Sequence, residues 1–406
     1  MKEGTKFFPN RQIGVGAVSI SALQKQYVNQ VLDSGRLSAG PFTAAFEKQI
    51  AQLHGAAAGV MMNSGTGALQ VALQALKEKY AWNDGDEVIV PALTFLATSN
   101  IVLYNNMRPV FVDIDPATYN INSRLIESAI TPKTRAIIVA HLFGLACDMA
   151  PIVEIAERHK LRIIEDACEA MLAEYHGQPV GSFGDVGCFS TYAAHILVTG
   201  VGGIAVTSDP DLELLMRSIM NHGRDPVYLR IDDDQARDPK VLSEIVSRRF
   251  SFVRLGQSFR ATELEAALGM GQLVEKEAIL AKRAAHAAYL TERLKEQDGY
   301  RTPFVPAGYR HVFMMYPLLV DASKLSAADV TQYLEARLIE TRPTLPLLSQ
   351  PVYRRLFGDI EDRYPEAKNV AHNGFYVGCH PSLSSEELEY MADELCEAAR
   401  LLGRAG

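Results

Sequence analysis

Three groups of residues in the first half of the chain have types and spacings that chemistry could use. Small residues fill positions 63–68 (NSGTGA), between an apolar run and a helical stretch. Such residues let backbone N–H groups approach an anion, and the dipole of the following helix favours negative charge. We therefore expect an anion site at Gly65 and Thr66, with an ordinary helix cap as the alternative interpretation.

The second group is acidic and the third contains a histidine. Glu165, Asp166 and Glu169 follow the apolar run 161–164. Carboxylates at the end of a buried strand are costly unless they are paired or bind a ligand, so they indicate either a site or a helix cap. In the third group, Ser190 precedes His195 by five positions. Histidine can move protons near neutral pH because its ordinary pKa is about 6.5.

The elements expected to position these groups alternate between apolar strands and amphipathic helices. Ligands collect at the carboxyl ends of parallel strands, and Phe95 would offer an aromatic face there. The alternation predicts an α/β fold with a mostly parallel sheet that helices cover on both faces. The β-rich runs are 59–63, 86–91, 109–114, 135–144, 161–166, 184–190 and 202–208.

The second half of the chain has a different pattern. A helical stretch at 261–295 precedes a strand-like run at 312–321, and two more helical stretches follow. We therefore predict a large cofactor-binding α/β domain over residues 1–260, and a linking helix with a small C-terminal α+β domain over 261–406. The polar, acidic segment 225–244 is expected to be a loop.

Composition narrows the class of function. The net charge is −8 at pH 7 and no Lys/Arg run occurs, so we expect no nucleic-acid partner. No apolar run approaches the roughly 20 residues that cross a bilayer, and the first residues do not have the pattern of a signal peptide. We therefore expect a cytoplasmic protein without a membrane partner. The five cysteines have no CxxC spacing, which predicts free thiols and no metal site.

Taken in order, the motifs resemble those of the DegT/DnrJ/EryC1/StrS sugar aminotransferases, which are pyridoxal-phosphate (PLP) enzymes of fold type I. The resemblance covers nearly the whole chain. It implies the fold type I transferase architecture, with PLP or pyridoxamine phosphate (PMP) as cofactor. The segments that carry it are SGTGAL (64–69), PALTF (91–95), HLFG (141–144), IIEDACEA (163–170), GSFGDVGCFS (181–190), NHGRD (221–225), GQSF (256–259) and ETRP (340–343).

The resemblance also implies what each residue of the cofactor site does. Gly65 and Thr66 would bind the cofactor phosphate, helped by Ser190. Phe95 would stack on the pyridine ring. Asp166 would pair with the ring nitrogen and keep it protonated, so that the ring can store electrons.

Further residues are implied to contact the ring hydroxyl, a partner subunit or the substrate. Glu169 stands near the ring hydroxyl, where the family commonly has Gln. The family forms homodimers with shared active sites, and Ser258 would reach the partner's phosphate from a position where the family usually has Asn. The candidate substrate contacts are Arg342, Arg260, His222 and His380.

One position departs from the family pattern. The family has its Schiff-base lysine five residues after the phosphate-binding serine, and this chain has His195 there. No lysine occurs between Lys160 and Lys240. Imidazole cannot form an imine, so the cofactor would be held by non-covalent contacts. His195 would instead act as an acid/base group at the C4′ carbon of the cofactor.

A branch of the family has this same replacement. Its members are PMP-dependent 3-dehydratases of nucleotide-linked 4-keto-6-deoxyhexoses, which yield a 3-deoxy sugar, ammonia and PLP. One subtype holds an iron–sulfur cluster on four cysteines, whereas the other renews PMP from glutamate. Cys168 aligns with the first cluster cysteine, but NHGRDPVYLRIDDD (221–234) contains none. One thiol cannot hold such a cluster, so the glutamate-dependent subtype is favoured.

Other functions stay open on the sequence alone. An aminotransferase whose lysine has been replaced, by nature or by an engineer, would have the same motifs. So would a non-catalytic regulator or sugar-binding protein, or an enzyme that performs PMP chemistry on a non-sugar ketone. The sequence does not specify the nucleotide or the hexose.

Overall fold

The computed structural model describes residues 7–225 and 238–403, and a seven-stranded sheet lies at its centre. The strand order is β1-β9-β8-β5-β4-β2-β3. These strands are β1 (Ala58–Met62), β2 (Glu87–Pro91), β3 (Arg108–Val112), β4 (Thr134–Ala140), β5 (Arg162–Asp166), β8 (Val186–Ser190) and β9 (Gly203–Thr207). Two short strands, β6 (Glu174–Tyr175) and β7 (Gln178–Pro179), form a separate small sheet with β11 (Tyr309–Arg310).

The predicted fold class is confirmed. β2 pairs in parallel with β3 and β4, β4 with β5, and β5 with β8, whereas β9 runs antiparallel to both of its neighbours. Strands β2, β8 and β9 are buried along their whole length. Near-continuous apolar runs are typical of strands that helices cover on both faces. The parallel strands therefore end at one common edge of the sheet.

Helices connect and cover these strands. The loop-to-helix junctions after β1 and β2 lie at the edge where the parallel strands end. Helices α1 and α2, which the sequence pattern left unassigned, precede the sheet. The helices of this part are α1 (Ala22–Ser34), α2 (Pro41–Leu53), α3 (Gly65–Lys79), α4 (Leu96–Tyr104), α5 (Ser123–Ile126), α6 (Met149–His159), α7 (Pro210–Ile219) and α8 (Pro239–Arg248).

A long helix, α9 (Glu263–Leu294), leads to a smaller sheet in the C-terminal part. That sheet is antiparallel, in the order β10-β12-β14-β13. Its strands are β10 (Tyr300–Arg301), β12 (Tyr316–Val320), β13 (Arg342–Pro343) and β14 (Gly374–Val377), and its helices are α10 (Ala327–Glu335), α11 (Pro351–Phe357), α12 (Pro365–Asn373) and α13 (Ser385–Leu402).

The division of the chain at residue 260 stays a prediction. The last part of α9 packs with β12, β14 and α13 in an apolar core of its own. Ile13 belongs to that core and pairs with Ile339, so the N-terminal segment crosses to the C-terminal part. A division by sequence position alone therefore does not describe where Ile13 packs.

One local expectation is wrong. The segment 225–244 was expected to be a loop, but residues from Pro239 onward form α8, which Asp238 caps by accepting from the Lys240 and Val241 amides. An N-cap aspartate followed by proline is a helix-start signal, which the acidic composition of the segment obscured. Residues 226–237 lie outside the described part of the chain. No helix in the described ranges has the length and apolarity of a membrane span.

Candidate active site

A cavity of about 440 Å³ opens where the parallel strands end. Its walls come from the turns after β1, β2, β4, β5 and β8, together with residues of the C-terminal part. Seven residues predicted from the sequence line it together: Gly65, Thr66, Phe95, Asp166, Glu169, Ser190 and His195. The C-terminal part contributes Met314, Met315, Leu345 and Tyr376.

The start of α3 forms one end of the cavity. Ser64 caps this helix by accepting from the Gly67 amide at 3.0 Å. Gly65 has no room for a side chain, because a Cβ there would lie 2.7 Å from Cys168 Sγ and 2.8 Å from Ser190 Cβ. The first turn of a 15-residue helix, with a serine hydroxyl beside it, is a suitable place for a phosphate.

Asp166 lies at the end of β5, and 7% of its surface is exposed. Its Oδ2 accepts from the Thr98 hydroxyl at 2.6 Å, and its Oδ1 accepts from the Cys168 amide at 3.3 Å. The Thr98 hydroxyl is in turn 2.8 Å from that of Thr94. Burial raises the pKa of Asp166, which these donors oppose. A protonated ring nitrogen would offset that cost of burial, so the carboxylate fits the cofactor predicted for it.

Glu169 lies beside it with a different environment. Its Oε2 accepts from the Phe143 amide at 2.8 Å. Burial, with a smaller contribution from the charge of Asp166, raises the pKa of Glu169 to about 7. Near neutral pH this carboxyl therefore exists in both protonation states, and its protonated form can donate a hydrogen bond to an oxygen of a ligand.

His195 is held in one tautomer. Its Nδ1 lies 2.6 Å from the carbonyl oxygen of Cys168, which can only accept, so Nδ1 carries the proton. Burial, together with the charge of Arg283, lowers the pKa of His195 to about 4 against the opposing effect of the Cys168 carbonyl. The neutral ring then has a bare Nε2, which is the form that a general base requires.

Phe95 and Cys168 supply surfaces for a flat ring. Phe95 lines the cavity and is 56% exposed, although it is a large apolar side chain. Cys168 also lines the cavity, and burial raises the pKa of its thiol well above the ordinary value. The thiol is therefore neutral at pH 7 and acts as a small apolar group. An uncovered aromatic ring, a buried carboxylate and a helix start together fit a planar, phosphorylated pyridine.

Three predicted residues lie together outside this cavity. Ser258 and Arg260 line a separate cleft of about 1040 Å³. Arg260 Nη2 donates to the Ser258 hydroxyl at 3.1 Å and lies 3.4 Å from Nε2 of His222. All three side chains are exposed, so they could contact another molecule rather than the cavity of their own chain.

The other two predicted substrate contacts are also outside the cavity lining. Arg342 is exposed and forms an ion pair with Glu340. His380 is buried, with Nε2 3.2 Å from the Gly14 carbonyl oxygen, and burial lowers its pKa to about 4. Their roles in substrate binding stay predictions.

The structure also brings residues to the site that sequence reasoning missed. Thr98 holds the carboxylate of Asp166, and its only signal in the sequence was its spacing of four from Thr94 near the start of α4. His141 lines the cavity with a fixed tautomer, because its Nδ1 accepts from the Cys147 amide at 2.9 Å. Its Nε2 then donates to Glu165, whose other contacts are backbone amides.

No group of three or more metal-ligating side chains lies together in the described ranges. Each of the five cysteines is a free thiol. Cys168 is the only one of them among the residues that line the cavity. The main features of the site are the start of α3, the buried carboxylate of Asp166 and the neutral ring of His195.

Comparisons with known proteins agree with this geometry. GDP-perosamine synthase of Caulobacter vibrioides is 35% identical over 382 residues, which cover 93% of this chain and 96% of that protein. The structure of Escherichia coli GDP-4-keto-6-deoxy-D-mannose-3-dehydratase with bound hydrated PLP is 25% identical, with a TM-score of 0.85, over 95% of this chain and 99% of that one.

A GDP-4-keto-6-deoxymannose-3-dehydratase has also been solved with a trapped PLP–glutamate geminal diamine. It matches at 25% identity and a TM-score of 0.85, over 96% of this chain and all of that one. These neighbours support PLP or PMP as the cofactor of the present site. The sequence profile of the DegT/DnrJ/EryC1/StrS aminotransferase family matches residues 18–396, and the chain belongs to that family.

Proposed function

We propose that the protein is a PMP-dependent 3-dehydratase of a nucleotide-linked 4-keto-6-deoxyhexose, with His195 as its acid/base group. The observation that carries this proposal is the state of His195. The ring lies in the cavity with Nδ1 bonded to a carbonyl and Nε2 bare, at the position that the motif resemblance assigns to the family's lysine. Among the described residues that line the cavity, none is a lysine.

The surrounding residues support a cofactor held without a covalent bond. When bound, PMP supplies an amine and a ring that stores electrons. Asp166 would keep the ring nitrogen protonated, and the start of α3 with Ser190 would anchor the phosphate. Phe95 would cover one face of the ring. These contacts together would replace the tether that a lysine provides.

His195 would then perform the proton transfers. Its bare Nε2 would take a proton from the C4′ carbon of the cofactor, and the same ring could return that proton to the departing C3 hydroxyl of the sugar. The lowered pKa of His195 means that the ring is neutral, and so able to accept a proton, throughout the neutral range. A general base of this kind contributes roughly 10²- to 10⁴-fold to a rate.

We propose glutamate as the donor that renews PMP. The motivation is the matching dehydratase structure that holds a PLP–glutamate adduct. Within the described ranges, no cluster of metal-ligating side chains is present that would suggest an electron-transfer partner instead. Glutamate would return the amino group to the cofactor and leave as 2-oxoglutarate.

We also propose a homodimer in which Ser258 and Arg260 complete the partner's site. Both are exposed and lie apart from the cavity of their own chain. Two large apolar side chains in the same stretch, Phe250 and Leu255, are each 88% exposed. Large apolar groups exposed to this extent within one short stretch are typical of a contact surface.

An aminotransferase is the second candidate, and a specific observation favours it. The relative with 35% identity is named GDP-perosamine synthase, and its name denotes an amino sugar as product. In that case the same site would transfer the amine to the sugar instead of releasing it as ammonia. The residues of the cavity are compatible with both outcomes, because both begin at C4′.

Two measurements test the proposal. Borohydride reduction of the PLP-loaded protein should leave no cofactor attached to the chain, as measured by mass spectrometry. The reason is that position 195 holds a histidine and that no lysine is among the described residues that line the cavity. Incubation with glutamate should give 2-oxoglutarate and PMP, and a panel of nucleotide-linked 4-keto-6-deoxyhexoses should then yield ammonia. A covalent protein–cofactor adduct would contradict the non-covalent site. Amino-sugar formation without ammonia would favour the aminotransferase.

His195→Lys is a sharp companion variant. It would restore the chemistry of the rest of the family at the same position of the cavity. We expect the variant to form a borohydride-reducible adduct and to lose ammonia release. If the variant released ammonia at the wild-type rate, the acid/base role proposed for His195 would be wrong.

A further inference from the structure

We infer that Arg283 is a positioning residue for His195: its guanidinium fixes the backbone of the proposed base against the C-terminal part of the protein. This inference rests on the acid/base role proposed above for His195. Arg283 lies in the middle of α9, far along the chain from the cavity motifs. It does not line the cavity itself and would touch neither cofactor nor substrate.

The contacts of Arg283 are unusual for a buried cation. Its side chain is 3% exposed. Nη2 donates to the carbonyl of His195 at 3.1 Å, and Nη1 donates to the carbonyls of Phe313 at 3.0 Å, Met314 at 2.7 Å and Cys379 at 3.5 Å. Within the described ranges these acceptors are all backbone carbonyls, whereas buried arginines are ordinarily paired with a carboxylate.

These carbonyls belong to three separate parts of the structure. His195 is on the loop after β8, Met314 lines the cavity from the segment before β12, and Cys379 follows β14. A planar fork of N–H groups fixes the relative positions of these three parts more precisely than an ammonium could. Movement of the C-terminal part would therefore be transmitted to the residue proposed as base.

His195 is thereby fixed at two points, one on its backbone and one on its ring. The carbonyl of the residue accepts from Arg283 and the ring Nδ1 donates to Cys168, so the direction of Nε2 follows from the backbone position. The backbone amide also donates to Tyr192 at 2.9 Å. Because a displacement of about 1 Å at a reacting group can cost a hundredfold in rate, the Arg283 contact should matter for turnover.

Arg283 also acts through its charge. A cation close to His195 disfavours a second cation there, which lowers the pKa of His195 in addition to the larger effect of burial. The other ionisable groups that line the cavity with His195 are Asp166, Cys168, Glu169, His141, Tyr192 and Tyr376. Glu275 and Lys282 line a second cleft, of about 500 Å³, that His195 and Arg283 also border.

Two substitutions separate position from charge. Arg283→Gln removes the charge, and we expect the pKa of His195 to rise by about one pH unit, from the loss of a nearby unit charge in a partly buried site. Arg283→Lys keeps the charge but loses the fork, so we expect a nearly unchanged pKa and a kcat about tenfold lower with KM little altered. The pKa is measured by NMR on cofactor-free protein with labelled histidine, with the His195 signal assigned by its absence in His195→Asn.

A matched control is available on the same helix. Arg293 forms an ion pair with Asp393 and lies over the ring of Tyr289, away from the cavity. Arg293→Lys should leave both the pKa of His195 and kcat unchanged. It controls for the general effect of an Arg-to-Lys change in α9.

The possible results decide the matter in either direction. An unchanged pKa of His195 in Arg283→Gln, or a wild-type kcat in Arg283→Lys, would overturn the inference. If Arg283→Gln does not fold, the kcat of Arg283→Lys against its Arg293→Lys control still decides. If no dehydration is found for the wild type, the NMR comparison tests the Arg283 contact independently of the proposed function.

Discussion

Replacing Thr98 by valine tests how the protein holds a charged carboxylate against the cofactor ring. Thr98→Val keeps the size and β-branching of the side chain but removes the hydroxyl that donates to Asp166 at 2.6 Å. The site is buried, and burial already raises the pKa of Asp166. Without the donor that pKa should rise further, because the ionised form loses the hydrogen bond that opposes the effect of burial.

The magnitude follows from the strength of that bond. A hydrogen bond to a charged group contributes about 1.5 to 3 kcal/mol, which corresponds to roughly 10- to 100-fold in a binding constant. The cofactor requires the ionised carboxylate, whereas the cofactor-free variant can relieve the loss by binding a proton. We therefore expect PMP to bind the variant more weakly, by up to roughly 10- to 100-fold at pH values where the cofactor-free carboxyl is protonated, and the gap to narrow as the pH rises.

The assay is a titration of cofactor-free protein with PMP, followed by fluorescence, at several values between about pH 6 and pH 9. Thr207→Val is the matched control, because Thr207 is also buried but its hydroxyl donates to the Asp185 backbone carbonyl at 2.8 Å. That contact lies at the opposite edge of the sheet, where β8 begins. Equal affinities for Thr98→Val and wild type, or an equal loss in the control, would refute the reasoning.

Three further outcomes are expected. His195→Asn should lower kcat by roughly 10²- to 10⁴-fold with PMP affinity within about threefold of wild type, measured by steady-state kinetics and the same titration. Gly65→Ala should weaken PMP binding without unfolding the protein, because its Cβ would be 2.7 Å from Cys168 Sγ and 2.8 Å from Ser190 Cβ; circular dichroism and the titration check both. Glu169, with its pKa raised to about 7, holds its proton more tightly when folded, so the Tm of cofactor-free protein should fall as the pH rises from about 4.5 to 7. Glu169→Gln should flatten that fall, and an unchanged pH dependence would contradict the assignment.

Much of the fold was predictable because its signals are local. Apolar runs of strand length with helical stretches between them predicted the sheet, and β2 and β5 lie within one residue of the expected bounds. The positions of Ile13 and of α8 were not predictable in the same way. Ile13 packs against residues more than 270 positions away in the C-terminal core, and the cap of α8 at Asp238 lies in a segment whose acidic composition suggested a loop.

The residues of the candidate site also fall into two groups, those that the sequence predicted and those that only the structure revealed. Gly65, Asp166 and His195 belong to ordered motifs at strand ends, and the topology of a parallel sheet brings such ends together. Thr98 and Arg283 belong to no motif, since a threonine on a helix and an arginine on an amphipathic helix are ordinary residues. Their importance comes from distances across the fold, which a single sequence does not contain.

The sequence motifs also did not predict where Ser258, Arg260 and His222 lie. Ser258 and Arg260 line a cleft apart from Asp166 and His195, and His222 contacts Arg260 beside it. Sequence order places them near the cofactor motifs only through the resemblance to a dimeric family. If they serve a second subunit, Leu255→Asp should dissociate the dimer, and sedimentation analysis of the variant beside wild type measures this.

The most direct test of the central claim is a single turnover with PMP-loaded protein and a nucleotide-linked 4-keto-6-deoxyhexose, without glutamate. If His195 is the acid/base group of a dehydratase, mass spectrometry should show a sugar that has lost its C3 oxygen, with one equivalent each of ammonia and PLP. His195→Asn should convert the sugar roughly 10²- to 10⁴-fold more slowly. A product that keeps the C3 oxygen and gains the amino group at C4 would contradict the account and show an aminotransferase.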